Sequence, residues 1–171
     1  IWKIVSEANT VISRIPTSEL TDAEKLTYEA KGRFFRAFAY RTLAYLWGGV
    51  PLVTEEIVTP KVDFVRATKE DIIKQVIEDL KFAAANLPAI AVVKDGEISN
   101  LAAQHLLAEV YLAAGQHQNA VTAASVVIDD PATDLMLTRF GSRLSFAADV
   151  YFDLFQVKNQ NRKSANNREG I

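Results

Sequence analysis

The chain is 171 residues long, 49% hydrophobic and 23% charged, with a formal charge of −2 and no cysteine. That is the composition of a globular chain long enough to bury a core. Its interleaved charges exclude an electrostatic footprint for nucleic acid or an anionic membrane surface, the missing cysteines exclude disulfides and thiolate chemistry, and no apolar run approaches the ~20 residues that cross a bilayer.

Residues 1–15 place Ile4, Val5, Ala8, Val11, Ile12 and Ile15 at helical spacing and stop at Pro16. The chain enters this pattern at once, without a methionine, and ends at Glu169-Gly170-Ile171 after a polar run. It is therefore expected to be a single helical domain over 1–171 that is an incomplete part of a longer polypeptide, with any signal peptide or lipid-attachment cysteine outside it.

Thr21-Asp22-Ala23-Glu24 is a capping box, in which Thr21 can bond the free amide of Glu24 and the Glu24 carboxylate can return the bond. It opens a helix predicted to run to Trp47, where Gly48-Gly49 supplies the stop. From Gly32 onward this helix is apolar on nearly every side, which predicts burial among other helices. Residues 49–66 are predicted extended or looped, because Pro51 and Pro60 oppose helix and disfavour it just before them.

Thr68 then caps a third helix, with Ile73, Val76, Leu80, Ala83 and Leu87 as its core stripe and Lys74, Glu78 and Lys81 toward water. Pro88 and the Lys94-Asp95-Gly96 turn separate it from a fourth helix over 99–114, closed by Gly115. A fifth helix over 118–128 ends at Asp129-Asp130-Pro131. A looser region follows, then a short helix over 147–155, and the Asn-rich tail 159–168 reads as a loop. Period-2 alternation is nearly absent, so the fold class is all-α. Short connections stack successive helices as antiparallel pairs, here 1–15 with 22–47 and 69–87 with 100–114. Ala102-Ala103 and Ala113-Ala114 permit the close approach of tetratricopeptide-like pairs, although no strict repeat period is visible.

Candidate chemistry is sparse. Trp47 offers a face that could stack on a sugar ring, but a helix-end aromatic beside Tyr45 and Val50 is expected to pack into the core, as is Trp2. Asp149 and Asp153 could be paired carboxylates, yet a glycosidase needs two about 5–9.5 Å apart across a cleft, and solvated or helix-capping roles suit them better. Arg33 and Arg36 on an apolar helix need partners, and Glu29 is spaced for a pair with Arg33. His105 and Glu109 lack a third metal ligand, since His117 falls in a different helix or turn. The Asn159-Gln160-Asn161-Arg162 segment is the best ligand candidate, because planar amides and a guanidinium suit sugar hydroxyls; a structural turn is the competing reading. No triad, phosphate-cradling loop or metal cluster is present, so no catalytic residue, metal or cofactor is expected.

Five blocks in order resemble the SusD/RagB family of outer-membrane nutrient-binding lipoproteins. They are Ser6-Glu7-Ala8-Asn9 with Val11-Ile12, and Lys31-Gly32-Arg33-Phe34-Phe35-Arg36-Ala37 through Trp47-Gly48-Gly49-Val50-Pro51-Leu52-Val53. Next come Arg66-Ala67-Thr68-Lys69-Glu70 leading to Ile77-Glu78-Asp79-Leu80 and Leu87-Pro88, and Ala102-Ala103 through Leu106-Leu107-Ala108-Glu109-Val110-Tyr111-Leu112. The last is Asp153-Leu154-Phe155 with Asn159-Gln160-Asn161-Arg162 and Asn167-Arg168-Glu169. Gly32 departs from the pattern, standing where the family usually has a larger helix former, and Gly170 breaks the usual run after the acidic residue.

The resemblance implies the SusD-like helical scaffold of a non-catalytic, lipid-anchored protein on the outer-membrane cell surface. Such a protein captures oligosaccharide, polysaccharide or other nutrient ligands and passes them to a TonB-dependent, SusC-like transporter, touching the membrane only through an anchor outside this chain. The alternative is a tetratricopeptide-like protein–protein interaction module.

Overall fold

The computed structural model describes residues 1–160 and 162–169 and the side chains of all of these except Arg162. Helix accounts for 58% of the described residues, with no strand among them, and one isolated antiparallel bridge joins Pro51 to Arg66. The helices are α1 (Trp2–Arg14), α2 (Asp22–Trp47), α3 (Lys69–Asn86), α4 (Asn100–Ala113), α5 (His117–Ile128), α6 (Val150–Leu154) and α7 (Arg162–Ala165). Short 3₁₀ turns follow α1 at Ile15–Thr17 and α6 at Val157–Asn159.

The ends of α2 form for the reasons the sequence carries. Thr21 Oγ1 accepts from the Glu24 amide while Glu24 returns a 3.0 Å bond to the Thr21 amide, and Gly48 leaves the helix at φ 68°, a backbone region that favours glycine. Thr68 caps α3 at the Asp71 amide, and Ser99 caps α4 at the Ala102 amide.

Successive helices pack antiparallel. Trp2 meets Tyr40, Asn9 meets Arg36, and Ile12 meets Gly32, so α1 runs against α2. Arg33 lies over the Phe82 ring and Arg36 binds Asp79, so α3 runs back along α2. The α1–α2 contact is close: a Cβ at Gly32 would stand 3.0 Å from Ile12 Cγ1. The core fills between these helices and α4–α5, with Tyr40, Ile72, Val76, Leu80 and Val110 fully buried. The α3 stripe is buried throughout, and Lys74, Glu78 and Lys81 face water, as predicted.

Several expectations change. Helix α2 is buried on one side only, leaving Phe35, Phe38, Tyr45, Leu46 and Trp47 exposed. Its partners α1 and α3 flank it, and no described element covers its remaining face. Trp47 is 55% exposed and Trp2 45% exposed rather than packed in the core. The short helix over 147–155 contracts to Val150–Leu154, and the 159–168 tail contains the helical turn α7 rather than loop alone. That turn is held from a distance, because the Asp95 carboxylate accepts from the Lys163 and Ser164 amides at 2.8 and 3.0 Å.

Candidate functional site

The buried polar groups of α1, α2 and α3 converge on one irregular segment, residues 49–66, called the strap here. Arg36 is 4% exposed and sits at the centre. Its Nε and Nη2 donate to the two Asp79 carboxylate oxygens at 2.8 and 2.7 Å, a fork-to-fork pair. Its Nη1 donates to Asn9 Oδ1 at 3.0 Å and to the Thr54 carbonyl at 2.9 Å. Asn9 Nδ2 then donates to the Val53 carbonyl at 2.9 Å.

Tyr40 holds the same arm from the other side. Its hydroxyl accepts from the Val53 amide at 2.6 Å and lies within reach of the Val53 and Pro51 carbonyls at 3.1 and 3.3 Å. Burial pushes this phenol above its usual range, against the lowering effect of the Val53 amide. Arg14 pairs with Glu56, and the Ala67 amide closes the strap's root on the Val50 carbonyl. The root is tight: a Cβ at Gly49 would fall 2.4 Å from the Ala67 carbonyl oxygen. Beyond residue 56 the strap is free of these clamps, and Val58, Val62 and Val65 are among the most exposed apolar side chains of the chain.

Arm and helix enclose a cleft of about 510 Å³. Trp2, Val5, Ser6 and Asn9 line it from α1, and Pro51, Val53, Glu55 and Ile57 line it from the arm, with Phe64 returning from the far side of the strap. The arm residues alternate, so one side of an extended segment faces the cleft.

A second polar cluster organises the C-terminal segment. Asp153, fully buried, accepts from Arg139 Nη2 at 2.9 Å and from the Phe140 amide at 3.1 Å. The Arg139 guanidinium holds this carboxyl below the usual carboxylate range. Asp149 instead caps α6, accepting from the Phe152 amide at 2.9 Å, so the two carboxylates serve separate structural roles.

The sequence candidates scatter. Asn159 is fully buried; its Oδ1 accepts from Ser142 and its Nδ2 donates to the Phe140 and Asp153 carbonyls. Gln160 is exposed. Asn161 and the Arg162 side chain lie outside the described residues. Trp47 stands at the open end of α2, beside the strap's root rather than near the 159–162 segment in sequence. Arg33 does pair with Glu29, at 2.6 Å. His105 is exposed, and no group of three or more His, Asp or Glu among the described residues is placed to hold a metal. No described helix is long and apolar enough to cross a membrane.

Sequence reasoning missed the Asn9–Arg36–Asp79–Tyr40 lattice. The available signals were an Asn inside an apolar-periodic helix and an Arg on an apolar face. Each pointed to a buried partner without naming it.

The helical scaffold that carries this lattice has known relatives. Residues 1–112, spanning α1 to nearly the end of α4, match the SusD-like family model described as starch-binding and associating with the outer membrane. The chain belongs to the SusD-like family. A curated SusD-like protein, P25 of Formosa agariphila, is 26% identical over 122 residues, covering 70% of this chain and 23% of its own length. The SusD-like chain therefore spans about a quarter of that relative.

A crystal structure of a SusD-like protein from Bacteroides fragilis superposes with a TM-score of 0.77 at 21% identity, covering 96% of this chain and 30% of that one. Another, determined with a xylogluco-oligosaccharide, superposes with a TM-score of 0.71 at 29% identity, covering 80% of this chain and 30% of its own. The all-α, tetratricopeptide-like reading of the SusD-like scaffold stands on both the helices and these superpositions.

Proposed function

We propose that the full-length polypeptide is a non-catalytic glycan-capturing protein at the outer-membrane surface. A lipid anchor outside residues 1–171 holds it there, and it hands its ligand to a TonB-dependent, SusC-like transporter. Residues 1–171 form one helical unit of it. The observation that carries this reading is the family match across 1–112, which coincides with the helices locked together by Arg36 and Asp79. The relative solved with a xylogluco-oligosaccharide supports the ligand class. The non-catalytic part is supported by Asp149 and Asp153, which are engaged in a helix cap and a buried ion pair.

Within this chain, Trp47 and the 159–162 segment are the proposed ligand contacts. Trp47 presents its ring and Gln160 its amide, while Asn159 fixes the loop from inside. Affinity electrophoresis of the full-length protein through gels containing soluble starch, xyloglucan or mixed-linkage β-glucan tests the reading. Retardation by at least one polysaccharide, without release of reducing sugar, is expected, together with co-purification of a TonB-dependent transporter from outer membranes. Migration unaffected by every polysaccharide, with no transporter recovered, overturns it.

A further inference from the structure

We infer that the cleft between α1 and the strap is a sugar-ring subsite, with Trp2 and Phe64 as its aromatic walls and Glu55 as its hydroxyl acceptor. The inference deepens the glycan-capture reading and rests on it.

The first observation is investment. Five side chains from α1 and α2 (Asn9, Ser13, Arg14, Arg36 and Tyr40) converge on strap residues 51–56, and Asp79 of α3 holds Arg36 from behind. A long segment without regular structure is otherwise the loosest part of a helical fold. Here part-buried and exposed hydrogen bonds fix its arm against α1 and α2, and such support preorganises a binding wall.

The second is the shape and lining of the space. At about 510 Å³ it lies within the roughly 300–1,000 Å³ of small-molecule pockets. Trp2 stands on the helix wall and Phe64 on the strap wall, each close to half exposed. Trp2 meets Tyr40 in a T-shaped contact, 6.1 Å between centroids, which fixes the orientation of its ring.

The third is polarity. A pyranose shows C–H groups on its two faces and hydroxyls around its rim, so it needs apolar walls and a few acceptors at the edge. The walls are supplied by the two rings with Val5 and Val53. At the edge, Glu55 and Ser6 have no ion pair or hydrogen bond among the described residues, so their oxygens are open to a ligand. A carboxylate accepting from hydroxyls makes charge-assisted bonds, the stronger kind.

The test is affinity electrophoresis and calorimetry of the full-length protein with soluble starch, xyloglucan and mixed-linkage β-glucan. Wild type is compared with Trp2→Ala, Phe64→Ala and Glu55→Gln; Glu55 is exposed, so Glu55→Gln leaves the fold intact. A control, Val121→Ser, lies on α5, away from the cleft. Glu55→Gln is expected to weaken the best polysaccharide about tenfold, the scale of one hydrogen bond to a charged group. Trp2→Ala and Phe64→Ala should each weaken it as well, and Val121→Ser should not.

If wild type binds and none of the three cleft variants changes its affinity, the subsite is wrong while glycan capture stands. If wild type binds no polysaccharide, both fall. The neutral apolar dye N-phenyl-1-naphthylamine reports what the cleft takes in the first of these outcomes. Dye fluorescence that Trp2→Ala abolishes, with polysaccharide affinity untouched by every variant, would show a cleft for apolar guests and overturn the sugar assignment.

Discussion

Replacing Arg36 with Met should cost this scaffold more than any other single polar substitution among α1–α3. The guanidinium makes four hydrogen bonds of 2.7–3.0 Å to Asp79, Asn9 and Thr54. Without it the Asp79 carboxylate stays fully buried, with only Gln75 Nε2 at 3.3 Å and Arg33 Nη1 at 3.7 Å to support it. Breaking a buried pair by removing one partner costs about 3–5 kcal/mol. For a unit of this size that corresponds to a fall in Tm of roughly 6–20 °C.

Guanidinium unfolding followed by far-ultraviolet circular dichroism measures the free energy directly. Limited proteolysis reports the strap, which loses its Thr54 tether and, with the Asn9 Oδ1 contact gone, part of the support of Asn9, and should be cut between residues 55 and 65. The double variant Arg36→Met/Asp79→Leu should regain much of the stability, since no lone charge is left buried, but should keep the loosened strap. A single variant within about 1 kcal/mol of wild type, the scale of a surface ion pair, would refute the reasoning. So would a double variant no better than the single one.

Tyr40→Phe should cost about 1–3 kcal/mol, because the buried Val53 amide loses its acceptor, and amide exchange at Val53 should accelerate; unchanged exchange would count against the clamp. Gly49→Ala drives a Cβ into the Ala67 carbonyl oxygen and should cost about 1–3 kcal/mol through a shifted strap root. Gly48→Ala meets no atom within 4 Å but sits at φ 68°, so about 1–2 kcal/mol of backbone strain is expected instead; both are read from unfolding midpoints. The Asp153 carboxyl is held below its unfolded value by Arg139, so its contribution is present above the unfolded pKa near ~3.9 and fades as pH falls through the depressed folded value. Acid titration followed by exchange at the Ser142 amide should therefore show protection lost below about pH 4 in wild type. Asp153→Asn should be weakly protected already at neutral pH, with a flat profile.

Local chemistry made the scaffold legible. The start of α2 could be read to the residue because Thr21 and Glu24 lie three apart and satisfy each other, and its end because only glycine suits the exit at Gly48. The α3 stripe could be read because burial follows the helical period. What was not legible depends on distance along the chain. Arg36 and Asp79 are 43 residues apart, and nothing local at Asp79 distinguishes it from Glu78 beside it. Apolarity also does not say how many neighbours a helix has, which is why Trp47 read as core and stands exposed. Asp153 read as a capping or solvated carboxylate, because its partner Arg139 lies 14 residues away across an irregular segment. The cleft has the same origin: its two walls come from a helix and from a segment about 45 residues later, and only the folded chain brings them together.

The close approach at Gly32 has a consequence for how sequences of this family can drift. A methyl group there would press on Ile12 at 3.0 Å, so the sizes of residues 12 and 32 are tied to one another across two helices. Relatives with a bulkier side chain at the position of Gly32 should carry a smaller one opposite it, or else a wider spacing between the first two helices. Ile12→Ala should accordingly make Gly32→Leu tolerable where neither the glycine replacement alone nor a polar one would be. Paired substitution, rather than invariance, is then the mark this contact should leave on the lineage.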